Sequence, residues 1–140
     1  MTVSIEIGVD RNLLLDILSD GMDYVCRGYW GQVEEYKWEW WYTQYKVGDP
    51  TGTINPYITD DTVLCRIRDD EDGMAEEENR PFVNITLGKL EEAFGWALVN
   101  YAHTMNPYDI KDNVITDCDY DAITADVILQ RIVFGEVLYG

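Results

Sequence analysis

The sequence predicts an α+β protein, a two-layer sandwich in which a mostly antiparallel sheet packs against about three helices. Several segments alternate apolar and polar residues with a period of two, as half-buried strands do, and three others repeat apolar residues at helical spacing. Strands of this kind must hide one face, and amphipathic helices can cover it. One layer of each is therefore the simplest arrangement.

Length and composition predict a single domain covering residues 1–140. Hydrophobic residues make up 46% of the chain. A chain of this size buries roughly two thirds of the surface that it exposes when unfolded. It can therefore form a core without metals or disulfides.

The first elements are a strand and a helix. "TVSIEI" alternates apolar and polar residues and predicts a strand over 2–7. The apolar spacing of "RNLLLDILSD" predicts a helix over about 11–20. Asp10 is placed to accept a backbone N–H as N-cap, and Gly21 is suited to the C′ position.

Aromatic residues dominate the next segments. Residues 22–32 favour an irregular strand with a bulge, although the preceding helix could also continue through them. "EYKWEWWYTQYKV" predicts a third strand over 35–47. Alternation assigns one face of this strand to the core, with Tyr36, Trp38, Trp40 and Tyr42.

Trp41 falls on the opposite face of that predicted strand. In a two-layer sandwich this face meets only solvent or a partner. Exposed tryptophan is a residue type that anchors interfaces or stacks on ring systems. We therefore predict Trp41 as a partner-binding residue, unless helices cover both faces of the sheet.

A β-hairpin is predicted next. "TVLCRIRD" and "PFVNITL" both alternate, and they flank the turn-rich "DDEDGMAEEENR". Residues 69–78 contain seven acids and no basic residue. The loop should project a concentrated negative patch, although an ordinary solvated loop explains the same residues. A weak, non-selective affinity of this loop for cations is a further alternative. The partner-binding residues predicted here are Asp69, Asp70, Glu71, Asp72, Glu76, Glu77 and Glu78.

Two amphipathic helices complete the prediction. One covers about 87–103 after Thr86 as N-cap, and the other covers about 120–134 after Asp119 or Asp121. The residues of the last helix expected to face the core are Ile123, Val127, Ile128 and Ile132. Two segments lack periodicity and are predicted to be loops, 48–61 and 104–119.

The charge balance indicates the kind of partner. Asp and Glu number 27 against 10 Lys and Arg, a formal net charge of −17. Such a chain repels nucleic-acid phosphates and anionic membranes, so we expect no direct nucleic-acid binding and no membrane binding. It suits the basic surfaces with which other proteins hold nucleic acid. Solubility alone accounts for the acidity equally well, and homo-oligomerisation is left open.

Cysteine usage and the N-terminus indicate a cytoplasmic setting. Cys26, Cys65 and Cys118 are odd in number and lack CxxC spacing, which predicts neither a disulfide framework nor a zinc site. The first residues lack a signal-peptide pattern, and no window approaches the ~18 apolar residues of a membrane span.

No catalytic motif is present in the sequence. His103 is the only histidine and no GxSxG accompanies it, and phosphate-binding glycine loops are also missing. Asp117, Asp119 and Asp121 match the start of an EF-hand loop. That loop's turn glycine and bidentate glutamate are both replaced, so helix capping accounts better for these acids. We predict no enzyme activity, no cofactor and no metal site.

The ending "ADVILQRIVFGEVLYG" resembles the closing segment of small acidic uncharacterised proteins of actinobacterial phages and prophages. Those proteins also have an "LLLDIL"-like helix ending in glycine, a tryptophan-bearing strand and an "RDDEDG"-like hairpin, which correspond here to Leu13–Gly21, Tyr29–Trp30 and Arg68–Gly73. Thr124 stands where an acid is expected. The resemblance implies a phage origin and a host-cytoplasmic location, and it implies no activity.

These observations favour a binding protein over an enzyme. The first hypothesis is a phage-type protein that antagonises a host nucleic-acid-handling or defence protein, such as a CRISPR system, through an acidic surface that mimics nucleic acid. One alternative is a small-molecule or nucleotide binder that stacks rings on Trp41. Another is an accessory virion protein.

Overall fold

The computed structural model of the chain describes residues 6–26, 28–36, 38–42 and 54–139. These residues form three α-helices and six strands, which confirms the α+β class. The strands lie in two three-stranded sheets rather than one, ordered β1-β6-β5 and β2-β3-β4. The helices are α1 (Arg11–Gly21), α2 (Leu87–Asn100) and α3 (Ala122–Phe134). The strands are β1 (Gly8–Val9), β2 (Gly31–Glu34), β3 (Cys65–Asp69), β4 (Val83–Ile85), β5 (Tyr108–Lys111) and β6 (Val114–Cys118).

Helix α1 begins where the sequence predicts, with the Asp10 side chain accepting the Asn12 N–H at 2.8 Å. It does not end at Gly21, because a π-helical turn, Met22–Cys26, continues it. A Cβ at Gly21 would lie 2.8 Å from Leu129 Cδ1. Gly21 therefore permits close approach of α1 to α3 rather than a left-handed C′ conformation.

Strand β3 is the central strand of the second sheet. It pairs antiparallel with β2 and with β4, so that Ile67 lies opposite both Val33 and Val83. The predicted hairpin is confirmed as β3 and β4. The irregular strand predicted over 22–32 is wrong for its first half, where the π-helical turn lies, and strand pairing begins only at Gly31.

The predicted aromatic strand over 35–47 is wrong for the residues that the structure describes. Glu35 has a φ of 58°, which ends β2, and Trp38–Trp41 form a turn of 3-10 helix. A 3-10 helix has about three residues per turn, so successive side chains do not alternate between two opposite faces as they do in a strand. The Trp38 side chain and residues 43–53 lie outside the described part of the chain.

The exposures of Trp40 and Trp41 are the reverse of those predicted. Trp41 is 1% exposed and stacks on Tyr36, with ring centroids 5.3 Å apart. Trp40, assigned to the core by alternation, is 47% exposed. The prediction of Trp41 as a partner-binding residue rested on its exposure, so that assignment is corrected.

The first sheet contains a hairpin where a loop was predicted. Strands β5 and β6 occupy most of 104–119 and pair antiparallel around a two-residue turn at Asp112 and Asn113. Both turn residues have positive φ, 53° and 62°, as a type I′ turn requires. Strand β1 pairs parallel with β6. Of the strand predicted over 2–7, only residues 6 and 7 are described; neither is in a strand, and β1 begins at Gly8.

Helices α2 and α3 are confirmed with small shifts at their ends. The Thr86 side chain accepts the Lys89 N–H, and the Asp121 side chain accepts the Thr124 N–H at 2.7 Å. Ile123, predicted to be buried, is 69% exposed, because the buried face of α3 begins at the next residue. None of the described helices is long and apolar enough to cross a membrane.

Candidate functional site

The acidic loop between β3 and β4 is organised around Arg80. The Arg80 Nη2 atom lies 2.8 Å from carboxylate oxygens of both Asp72 and Glu78. Its Nη1 donates to the backbone carbonyl of Asp69 at 3.2 Å. The hydrogen bond from Arg80 is the main cause that lowers the pKa of Asp72. One arginine at the end of the loop therefore holds three of its acidic positions together.

Acids of this loop also accept backbone N–H groups. Asp70 Oδ1 accepts from the Ala75 N–H at 3.1 Å, and Asp72 Oδ1 accepts from the Met74 N–H at 3.1 Å. Gly73, next to Asp72 and Met74, adopts a φ of 73°, a backbone conformation that is unfavourable for residues with a side chain. Ala75, within the loop, is fully buried. The loop is therefore a folded unit that uses its aspartates as turn acceptors.

The seven predicted loop acids divide into two groups. Four engage their side chains within the protein: Asp69, Asp70, Asp72 and Glu78. The other three, Glu71, Glu76 and Glu77, are exposed and make no ion pair or side-chain hydrogen bond within the part of the chain that the structure describes. Only this second group leaves whole carboxylates available to another molecule.

The base of the loop is fixed to the end of the chain through Tyr139. Its hydroxyl lies 3.2 Å from both carboxylate oxygens of Asp69 and donates to that group. Burial and then Asp69 raise the pKa of Tyr139. The fully buried Gln130 of α3 accepts the N–H groups of Leu138 and Tyr139 at 2.9 Å each. Hydrogen bonds through Tyr139 and Gln130 therefore connect the base of the loop to α3.

A second group of acids lies on α1, beside tyrosines rather than arginines. The Tyr120 hydroxyl donates to Asp20 Oδ2 at 2.6 Å, and the Tyr42 hydroxyl donates to Asp16 Oδ1 over a longer 3.4 Å. Among the described residues, neither acid has a Lys or Arg within ion-pair distance. These carboxylates therefore receive hydrogen bonds without charge neutralisation.

Asp16 opens into a hollow of about 280 Å³ that Asp10, Tyr42 and Asp117 also line. Although the residue is exposed, loss of solvent around its carboxylate raises the pKa of Asp16 to about 6, and nearby Asp20 adds to the effect. The sequence does not predict this hollow, because the residues that line it come from segments far apart in the chain.

The described residues contain no group of three or more His, Cys, Asp and Glu side chains that could hold a metal ion. Asp121 caps α3, as expected, and the Thr124 hydroxyl also donates to it at 2.8 Å. Asp117 accepts the N–H of its neighbour Cys118 at 2.9 Å. Asp121 thus caps a helix, whereas Asp117 contacts only the backbone of the next residue in β6.

Asn55 forms hydrogen bonds with two residues whose aromatic side chains are exposed. The Asn55 side chain donates to the Trp40 carbonyl at 3.0 Å and accepts the Tyr57 N–H at 3.0 Å. Trp40 and Tyr57 both expose their side chains. Asn55, itself buried, therefore connects the two segments that present aromatic rings to solvent.

Comparison of the chain with models of known protein families, with curated proteins and with solved structures finds no match.

Proposed function

We propose that the protein is a non-enzymatic, phage-type binding protein that occupies a basic surface of a host nucleic-acid-handling or defence protein in the host cytoplasm. The observation that carries this proposal is the division of the loop acids. Arg80 and the backbone fix the loop, and Glu71, Glu76 and Glu77 remain exposed upon it. Carboxylates on a fixed support can replace phosphates opposite Lys and Arg side chains.

The net charge of −17 supports the same proposal through its long-range field. Such a field speeds the encounter with a positively charged surface and weakens as salt rises. It also means that two copies of this chain repel each other unless their contact is locally complementary. The alternative of ring stacking on Trp41 loses its support, because that side chain is buried.

A capture experiment with matched variants tests the proposal. Immobilised protein is incubated with host lysate at low and high salt, with and without heparin as a polyanionic competitor. The loop variant carries Glu71→Gln, Glu76→Gln and Glu77→Gln. The control carries Glu91→Gln, Glu92→Gln and Glu136→Gln, which removes the same number of charges from exposed residues outside the loop.

We expect wild type and control to capture the same basic protein at low salt, and heparin or high salt to release it. The loop variant should retain at most about a tenth of that capture, since each charge-assisted contact contributes roughly 1 kcal/mol or more. Equal capture by the loop and control variants would contradict the role of the loop. Capture that resists both salt and heparin would contradict the mimicry of nucleic acid.

A further inference from the structure

Strand β5 forms an open edge of the first sheet. The sheet order is β1-β6-β5, and within the described residues β5 pairs with β6 alone. All four residues of β5 are exposed. An edge strand presents unpaired backbone N–H and C=O groups that a further strand can pair with.

Apolar side chains form rows across the hairpin of β5 and β6, and these rows end at the open edge. Ile110 lies opposite the buried Ile115, and Tyr108 lies opposite the buried Cys118. Ile110 is nevertheless 48% exposed and Tyr108 is 44% exposed. The row that begins in the core thus ends in two half-exposed apolar side chains, which a neighbouring strand would cover.

The backbone of the same two residues faces the open edge. The Pro107 carbonyl accepts the Asp119 N–H at 2.9 Å, so residue 107 points toward β6. The ladder has a register shift between Asp109 and Ile110, but its extra residue, Thr116, lies on β6, so β5 keeps its own alternation. Residues 109 and 111 therefore also point inward, and 108 and 110 point outward. Tyr108 and Ile110 therefore offer both backbone groups and apolar surface.

The charges on β5 alternate with these residues. Asp109 and Lys111 flank Ile110, and Asp109 lies directly opposite Asp117 of β6. Like charges placed opposite each other across a ladder destabilise it. Asp109 would therefore gain from a cation on its other side.

We propose that β5 pairs antiparallel with β5 of a second copy of this chain, around a two-fold axis at Ile110. In this register Ile110 lies opposite the partner's Ile110, and Asp109 lies opposite the partner's Lys111. Because of the two-fold symmetry, the pair of Asp109 with the partner's Lys111 occurs twice, so one interface contains two cross-strand pairs of opposite charge. The partner's Lys111 supplies the cation that the Asp109–Asp117 pair lacks.

The charges select this register over its neighbours. An axis at Asp109 would place two aspartates opposite each other, and an axis at Lys111 would place two lysines opposite each other. The register at Ile110 alone joins opposite charges, and it also lets the outward backbone groups of Ile110 bond reciprocally. Because the contact involves only a short strand, it belongs to the small, weak class of interfaces. It uses no residue of the β3–β4 loop and does not depend on the proposed function.

Reciprocal charge reversal tests the proposal. Sedimentation equilibrium measures whether the mass rises from the 16.2 kDa of one chain toward twice that value at concentrations up to about 1 mM, which detects dimers with a Kd in the millimolar range. The variants are Asp109→Lys and Lys111→Asp, each measured alone and in an equimolar mixture. Glu91→Lys, on α2, makes the same charge change as Asp109→Lys outside the interface.

Wild type and the Glu91→Lys control are expected to dimerise alike. Each β5 variant alone opposes like charges twice per interface and should lose at least about tenfold in dimer affinity. The mixture should recover dimers, because the lysines of one variant then lie opposite the aspartates of the other. This recovery also shows that both variants are folded. A wild type that stays monomeric, a β5 variant that dimerises normally alone, or a mixture that does not recover would each overturn the proposal.

Discussion

The β3–β4 loop and helix α1 both concentrate acids, and they limit the resulting repulsion in different ways. In the loop, Arg80 lies 2.8 Å from carboxylate oxygens of Asp72 and Glu78 and lowers the pKa of Asp72. On α1 the donors are the neutral hydroxyls of tyrosines, and the pKa of Asp16 rises to about 6. A cation stabilises the charged carboxylate, whereas desolvation beside like charges favours the protonated form.

The difference teaches that the number of acids does not determine the local field. In the loop, Arg80 lowers the pKa of Asp72, and three other acids face outward. Asp16 takes up a proton near pH 6. The loop is therefore the better candidate for imitating a polyanion, even though both regions contribute to the same net charge.

The aromatic residues beside α1 should produce the largest effect when removed. Trp41→Ala deletes a ring that is 1% exposed and stacked on Tyr36, whose hydroxyl hydrogen-bonds with Ser19 of α1 at 3.0 Å. We expect a loss of about 3–5 kcal/mol in the free energy of unfolding, the usual cost of truncating a buried aromatic residue. Urea denaturation followed by far-UV circular dichroism measures it.

Trp40→Ala is the matched control for that variant. It removes the same ring from the neighbouring position, where the side chain is 47% exposed. Its expected cost is below about 1 kcal/mol. Similar losses in both variants would mean that the two tryptophans are buried to a similar extent, contrary to the structure.

Removing the Arg80 cation from the acidic loop should produce the second-largest effect. Arg80→Met keeps the apolar stem but leaves Asp72 and Glu78 without their partner, so the loop should open locally. We expect the backbone amides at positions 75 and 80 to exchange hydrogen at least about tenfold faster, while core amides change little. Hydrogen exchange followed by NMR measures this. Arg11→Met, which removes an exposed ion pair with Asp60, should leave these loop amides unchanged.

Elements with a strong local signal were predicted well from the sequence. Helix α1 begins after Asp10 and α3 begins after Asp121, because a capping side chain is encoded within three residues of the N–H that it accepts. The β3–β4 hairpin was predicted from its alternation and its turn-rich loop. In each case the decisive contact is local, so the sequence contains it.

Elements decided by distant contacts were not predicted. Aromatic residues occupy alternate positions from Tyr36 to Tyr42, as in a strand, but Glu35 has a positive φ and Trp38–Trp41 form a helical turn. Asn55, distant in sequence, hydrogen-bonds to carbonyls of that turn. Gly21 is the residue type expected just after the end of a helix, but here its lack of a side chain allows α1 to approach α3 closely. The acidic loop was located correctly, but its division into internal and outward acids depends on where the Arg80 side chain points.

The smallest expected effect is the pH dependence that Asp16 contributes. Its folded pKa of about 6 lies above the ordinary value of 3.8, so the folded state binds more protons between these values. Stability should therefore fall as pH rises from about 4 to about 6 and then become level. The residue is exposed and solvent screens its interactions, so the change should not exceed about 1 kcal/mol. Asp16→Asn should remove this slope, and NMR titration of the wild-type Asp16 carboxyl should give a midpoint near 6.

Asp72 provides the opposite sign in the same experiment. Arg80 lowers its folded pKa, so ionised Asp72 stabilises the protein above its ordinary pKa, and this contribution is lost as pH falls toward the folded value. Asp72→Asn should therefore flatten the acid limb of the stability curve and leave the interval near pH 6 unchanged. If Asp16→Asn and Asp72→Asn altered the curve in the same interval, the two acidic regions would not differ in the way that Arg80 beside Asp72 and the desolvation of Asp16 require.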